Sequence, residues 1–237
     1  MLILSFDTSA ARLPIVLAEE EKVLASAVYG GSGTHMKNIL PAIRDILAEA
    51  GKTVKDLEAV AAVCGPGSFT GIRIGAATAQ GLAAASGIPC IKLNSLEAAA
   101  YGKCAPGRIT VPMLEARNRR VYAAAYRGQE LLISPAVGRV EDLAALIAGK
   151  REDESILFCG DETAARYADD EEVLKHLGVK AEAADESGYK AEVLAALAAA
   201  AWREGRLLKP EELLPDYYAP TQAERNFGMA EEKGFGA

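Results

Sequence analysis

The feature that most constrains this chain is an order of strand-like and helix-like segments that occurs twice. The first half opens with an apolar run, Leu2 to Phe6, which ends in Asp7-Thr8-Ser9. A second run covers Leu13 to Ala18, an acidic turn follows at Glu19-Glu20-Glu21, and a third run covers Val23 to Tyr29. Gly30-Gly31-Ser32-Gly33 interrupts the chain, and Thr34 can cap what comes next. Met36, Ile39, Leu40, Ile43, Ile46 and Leu47 then recur at helical spacing, which predicts an amphipathic helix closed by Gly51. Pro41 falls inside that pattern and is expected to kink the helix or delay its start. A strand from Ala59 to Cys64, a glycine-rich turn, a small-residue helix from about Thr70 to Ser86 and a strand from Pro89 to Leu93 follow.

The second half repeats the order. Ile109 to Leu114, Val121 to Tyr126 and Leu131 to Val137 read as strands, the third entered through Gly128-Gln129. Val140 to Ala148 reads as a helix closed by Gly149, Ser155 to Cys159 as a strand ending at Gly160, and Glu162 to Leu177 as a helix. Val179 to Ala184 is another strand, and Lys190 to Glu204 closes as an alanine-rich helix. Even Cys64-Gly65 and Cys159-Gly160 fall at the same point, the end of the fourth strand of each half.

Three sequential strands imply an antiparallel meander, and strands separated by helices imply parallel crossovers in the same sheet. That α/β pattern predicts two tandem ribonuclease-H-like units, the actin-like (ASKHA) architecture, each a mixed five-stranded sheet flanked by helices. The expected domains are residues 1–103 and 104–237, the second carrying the closing helix and the tail. A ligand cleft in this architecture lies between the halves, which directs attention to the turns after the first strands.

Composition narrows the function classes. A chain of 237 residues with 50% hydrophobic content can bury a core without disulfides or a structural metal. Its net charge of −7 is the wrong sign for a nucleic-acid binder acting alone, because phosphate neutralisation supplies most of such affinity. Cys64, Cys90, Cys104 and Cys159 show no CxxC spacing and read as small buried residues in a reducing compartment. His35 and His176 have no metal-ligand spacing, so no metal site is expected. Met1 to Phe6 lacks a basic region and meets Asp7 too early for a signal peptide. The longest apolar stretch, Val193 to Trp202, is about half of what a bilayer requires. The expectation is a soluble, cytoplasmic protein without membrane contact.

Four features carry possible chemistry. Asp7-Thr8-Ser9 sits where an actin-like ATPase holds phosphate, yet Ser9 and Ala10 replace the usual glycine, so the turn either touches nucleotide or only satisfies backbone groups. Gly65-Pro66-Gly67-Ser68-Phe69-Thr70-Gly71 could cradle an anion at a helix start but lacks the ending of a nucleotide P-loop; otherwise Ser68 or Thr70 is simply a cap. Gly71, Gly75, Ala79 and Ala83 recur at steps of four, which suits either close approach of another helix or packing on the protein's own sheet. Arg117, Arg119 and Arg120 form a basic cluster, either a local RNA contact or a solvated turn.

Several of these residues also carry a family resemblance. Ile3 to Ser9, Cys64-Gly-Pro-Gly-Ser-Phe-Thr-Gly-Ile-Arg-Ile-Gly75 with the helix after it, and Glu115-Ala-Arg-Asn-Arg-Arg-Val-Tyr122 resemble the signatures of the TsaB (YeaZ) family. Pro215 to Glu224 resembles its tail element, with Ala219 where arginine is usual. The resemblance implies a non-catalytic scaffold in the bacterial pathway that makes threonylcarbamoyladenosine on tRNA. It implies a heterodimer with the transferase TsaD, joint action with the ATPase TsaE, and a homodimer when the protein is alone. ATP and Mg²⁺ are then used by the assembled complex, tRNA is met through that complex, and this chain binds no cofactor itself. Partner binding in the family runs through the two helices that match roughly Thr34 to Ala50 and Thr70 to Ser86.

On that basis the expected interface comprises His35, Ile39, Ile43, Ser68, Phe69, Thr70, Gly71, Ile72, Gly75 and Ala79, with no catalytic residue. Gly75→Leu is expected to abolish partner binding and leave the monomer folded. Asp7, Thr8, Ser9, Arg117, Arg119 and Arg120 are the possible nucleotide or RNA contacts. Two rival functions remain: a small actin-like kinase of a sugar or carboxylic acid, which would need two phosphate loops, and a metallopeptidase, which two isolated histidines cannot build.

Overall fold

The computed structural model describes residues 1–30, 35–184, 189–218 and 234–235, with the backbone alone at 35–38. In chain order the elements are β1 Leu2–Phe6, β2 Leu13–Glu19, β3 Lys22–Tyr29, α1 His35–Glu49, β4 Ala59–Val63, α2 Phe69–Ser86, β5 Cys90–Leu93 and α3 Ser95–Ala100. There follow β6 Arg108–Glu115, β7 Arg120–Arg127, β8 Glu130–Arg139, α4 Val140–Lys150, β9 Ser155–Gly160, α5 Glu162–Ala168, α6 Glu171–Leu177, β10 Ala181–Ala183 and α7 Ala191–Arg203.

Both halves build the expected mixed sheet. The first has the order β3-β2-β1-β4-β5 and the second β10-β9-β6-β7-β8, the same order read from the other edge. β1 pairs antiparallel with β2 and parallel with β4, and β6 pairs antiparallel with β7 and parallel with β9. The central strand β1 is buried at all five positions, which is why Leu2 to Phe6 is continuously apolar but for Ser5. Leu2, Leu4 and Phe6 share one core with Ile39, Ile43 and Ile46 of α1 and with Ala76, Ala79 and Ala83 of α2. Strand alternation turns Ile3 and Ser5 to the opposite face. A separate core in the second half joins Val111, Met113 and Phe158 to Leu143, Ile147 and Val173.

Three sequence expectations need correction. The first concerns the domain split. The alanine-rich helix α7 packs on β1, β2, β3 and β5, so one unit comprises residues 1–98 and 190–216 and the other residues 99–189 and 217–237. Ala191, Ala195, Ala198, Ala199 and Ala201 are buried there, small enough to bring that helix onto the sheet. Secondly, Glu162 to Leu177 is two helices. Asp170 interrupts them because its carboxylate accepts from the Val173 N–H at 3.0 Å and starts a new helix as N-cap. Thirdly, α1 begins at His35 and runs through Pro41, so the proline does not delay its start. Thr34 and Ala219 lie outside the described residues. Among the described residues no helix is long and apolar enough to cross a membrane.

Candidate functional site

The turn after β1 is a socket for α2. Asp7, Thr8 and Ser9 are all buried. The Asp7 carboxylate accepts from the Ser9 N–H at 2.6 Å, the Thr8 hydroxyl donates to the Gly71 carbonyl at 2.7 Å, and the Ser9 carbonyl accepts from the Ser68 N–H at 2.8 Å. Glycine is required where the helix crosses this turn. A Cβ on Gly71 would lie 2.0 Å from the Thr8 carbonyl oxygen, and one on Gly75 would lie 2.5 Å from the Thr8 hydroxyl. A Cβ on Gly67, at φ 156°, would lie 2.7 Å from the Ser9 carbonyl oxygen. The backbone-satisfying reading of Asp7-Thr8-Ser9 is the one this geometry supports, since all three hold backbone groups within their own unit.

The same geometry corrects the expected interface. Ile39, Ile43, Ile72 and Ala79 are at most 3% exposed, and Gly71 and Gly75 face Thr8. Their side chains make the unit's own core, so Gly75→Leu would disrupt the fold and cannot report on binding alone. A surface on these two helices must come from the residues beside them. Leu40 is 59% exposed on α1, next to exposed Pro41 and Arg44. On α2, Ala77, Gly81 and Ala85 are exposed at steps of four after Arg73, a second small-residue row on the opposite side from Gly71 and Gly75. Nothing lies within 4 Å of a Cβ built on Gly81. The signal for this was present in the sequence: if Ile39 and Ile43 face inward at helical spacing, their neighbours Leu40 and Arg44 face outward.

Ser68, Phe69 and Thr70, expected in the partner interface, stand at the start of α2. Ser68 is the N-cap, its hydroxyl accepting from the Gly71 N–H at 3.3 Å. Phe69 is 37% exposed and carries the Arg73 guanidinium 3.8 Å above its ring, a stack that orients both side chains outward. Thr70 is exposed beside it. The backbone of His35 opens α1, and its side chain lies outside the described residues.

The arginine cluster separates into unlike members. Arg117, Asn118 and Arg119 adopt φ of 63°, 53° and 57°, an unusual left-handed run for non-glycine residues. What holds the run is Arg119. Its guanidinium forks onto Asp170 at 2.8 and 2.9 Å, bonds Glu141, and lies 5.6 Å from the Tyr167 ring. Hydrogen bonds from that guanidinium hold the Asp170 carboxyl down at about 2. Arg119 is therefore a structural clamp within the second unit, Arg120 is half-buried on β7, and Arg117 is exposed at the tip.

Burial pushes the Cys64 and Cys159 thiols up to about 12 and Cys90 to about 11, so they stay protonated near neutral pH. Among the described residues no group of three or more His, Cys, Asp or Glu side chains is placed to hold a metal.

Comparison with known proteins supplies the family. Residues 21–227 match the family model for TsaD, tRNA N6-adenosine threonylcarbamoyltransferase. The tRNA threonylcarbamoyladenosine biosynthesis protein TsaB of Bacillus subtilis is 31% identical over 227 residues, covering 94% of this chain and 96% of its own. The chain belongs to the TsaB (YeaZ) family. The Escherichia coli TsaB is 36% identical over 132 residues, 55% of this chain and 57% of its own. The solved structure of YeaZ from Pseudomonas aeruginosa superposes with a TM-score of 0.75 at 28% identity, covering 91% of this chain and 99% of that one. The fold of this TsaB-family chain, two mixed five-stranded sheets flanked by helices, is thus matched by a solved relative along almost its whole length.

Proposed function

We propose that this TsaB-family protein takes part in tRNA threonylcarbamoyladenosine biosynthesis as a non-catalytic cytoplasmic scaffold. It binds the transferase TsaD through the outward faces of α1 and α2, and works with the ATPase TsaE. The observation that carries this reading is the exposed small-residue row Ala77, Gly81 and Ala85 of α2, which continues from exposed Phe69 and Arg73 at the helix start, together with exposed Leu40 on α1. Small residues at steps of four let a second helix approach closely, and flanking apolar side chains supply burial when it does. The same face accounts for a homodimer when the protein is alone. ATP and Mg²⁺ belong to the assembled complex, and tRNA meets this chain through that complex.

Absence of catalysis is supported by how the turn residues are used. Asp7 and Thr8 hold backbone groups, and the buried thiols stay protonated. The kinase alternative would need Asp7-Thr8-Ser9 to open onto a phosphate, whereas here the turn supports α2. The decisive experiment is light-scattering mass on this protein mixed with TsaD from the same organism, each protein alone as control. A one-to-one heterodimer that replaces any homodimer is expected. Gly81→Leu should abolish it without lowering the melting temperature, because the added side chain meets open space. No association, with or without TsaE, ATP and Mg²⁺, would overturn the scaffold reading.

A further inference from the structure

The chain beyond α7 crosses the first unit as a strap. Leu208 and Cys90 exchange two backbone hydrogen bonds of 2.9 Å, which covers the start of the edge strand β5. A 3₁₀ turn at Pro210–Glu212 lies against α2, and Leu213 is wholly buried in the α1–α2 core. The Gln80 amide of α2 donates to the Leu213 carbonyl at 3.1 Å. Further on, the Asp216 N–H donates to the Cys64 carbonyl at 2.8 Å, and the Asp216 carboxylate meets the Lys92 ammonium at 2.5 Å. Gly65 is needed at this crossing: its φ is 125°, and a Cβ there would lie 2.8 Å from the Asp216 carbonyl oxygen.

These anchors bracket the surface proposed for docking. Cys64 and Gly65 immediately precede the loop that starts α2, and Gln80 sits in the row next to Gly81. Thr8 holds the helix from one side using residues of the first hundred. The strap holds it at Gln80, using residues more than a hundred positions later. Beyond Asp216 the chain passes into the second unit at Tyr217.

We propose that Leu208–Asp216 is a positioning strap for the partner surface. Through Gln80, Lys92 and Asp216 it holds the Gly65–Ser68 loop and α2 in the arrangement that TsaD meets. The inference rests on the docking reading above. Lys92 and Asp216 are each about one-third exposed, so losing their ion pair costs little stability by itself; the effect to look for is on binding.

The test compares Lys92→Met and Gln80→Leu with Lys92→Arg and with Val16→Ala, which opens the core on β2. TsaD affinity is measured by titration calorimetry, amide exchange is read at Ser68–Ile72, and melting temperatures are recorded for all four. Lys92→Met and Gln80→Leu should raise exchange at Ser68–Ile72 and weaken TsaD binding about tenfold, the scale of one well-placed hydrogen bond. Lys92→Arg should restore both, and Val16→Ala should lose at least as much stability yet bind normally. Unchanged exchange and affinity in Lys92→Met and Gln80→Leu would overturn the proposal, as would equal weakening by Val16→Ala. Failure of the wild-type protein to bind TsaD would instead overturn the docking reading, with the exchange pattern still reporting whether the strap fixes α2.

Discussion

The two units share one sheet order and differ in the helix after the fourth strand. In the first unit α2 runs unbroken for 18 residues; in the second the equivalent stretch is two seven-residue helices, α5 and α6. The turn after the first strand of each unit shows why. Thr8 is small and sits in the groove left by Gly71 and Gly75, so α2 passes over it without interruption. In the second unit that turn is charged. Glu115 donates its N–H to Asp161, the N-cap of α5, and Arg119 grips Asp170, the N-cap of α6. Each cap satisfies the N–H groups of a new helix and so favours a restart over continuation. One topology thus yields a long helix face in the first unit and a capped, ion-paired surface in the second.

The largest effect that sharpens this contrast is at the glycines. Gly71→Leu should destabilise the first unit by about 4 kcal/mol or more, because its Cβ would have to displace the Thr8 backbone. Gly160→Ala should do comparable damage to the second unit, where φ is 129° and the Cβ would lie 2.0 Å from the Met113 carbonyl oxygen. Thermal denaturation followed by circular dichroism measures both, and wild-type stability in either variant would break the account of these helix crossings.

Arg119→Ala comes next. It leaves Asp170 and Glu141 without their main cationic partner and should cost about 2 kcal/mol, confined to the second unit. The Asp170 carboxyl lies below its ordinary value of 3.8, at about 2 when folded. Its contribution is therefore present above about pH 4 and lost as pH falls from about 4 towards 2. Acid unfolding should be less steep across that window in Arg119→Ala than in the wild type. Equal steepness would remove the clamp from the explanation of the split helix.

Two smaller changes test α2 itself. Ser68→Ala deletes the N-cap and should lower stability by about 1 kcal/mol in urea denaturation. Gly81→Ala should raise it by about 0.5–1 kcal/mol, since the added methyl meets nothing within 4 Å and glycine is a poor helix former. A loss at Gly81 would mean that this side of the helix is packed within the monomer.

Much of this was legible in the chain. Continuous burial of β1 shows as Leu2 to Phe6, and the apolar stripe of α1 shows as Ile39, Ile43 and Ile46, although the expected interface assigns the first two to a partner rather than to the core they occupy. The small-residue spacing of α2 was also visible, but it did not say which way Gly71 and Gly75 point. Two rows at steps of four exist on that helix, and only the position of Thr8 distinguishes them. Likewise Arg117, Arg119 and Arg120 look alike as letters, and only Asp170, some fifty residues away, makes Arg119 a clamp.

The sequence by itself determined the duplicated order of elements, the central strands and the apolar stripe of α1, because these follow from apolar periods of two and 3.6 residues within short windows. The tertiary structure decided where α7 packs, where the predicted helix at Glu162 divides, which small-residue row is spent on the core, and how Asp216 comes to lie against Cys64. Each of those outcomes is a contact between segments far apart in the chain, and no local period encodes which distant backbone or charge a side chain will meet.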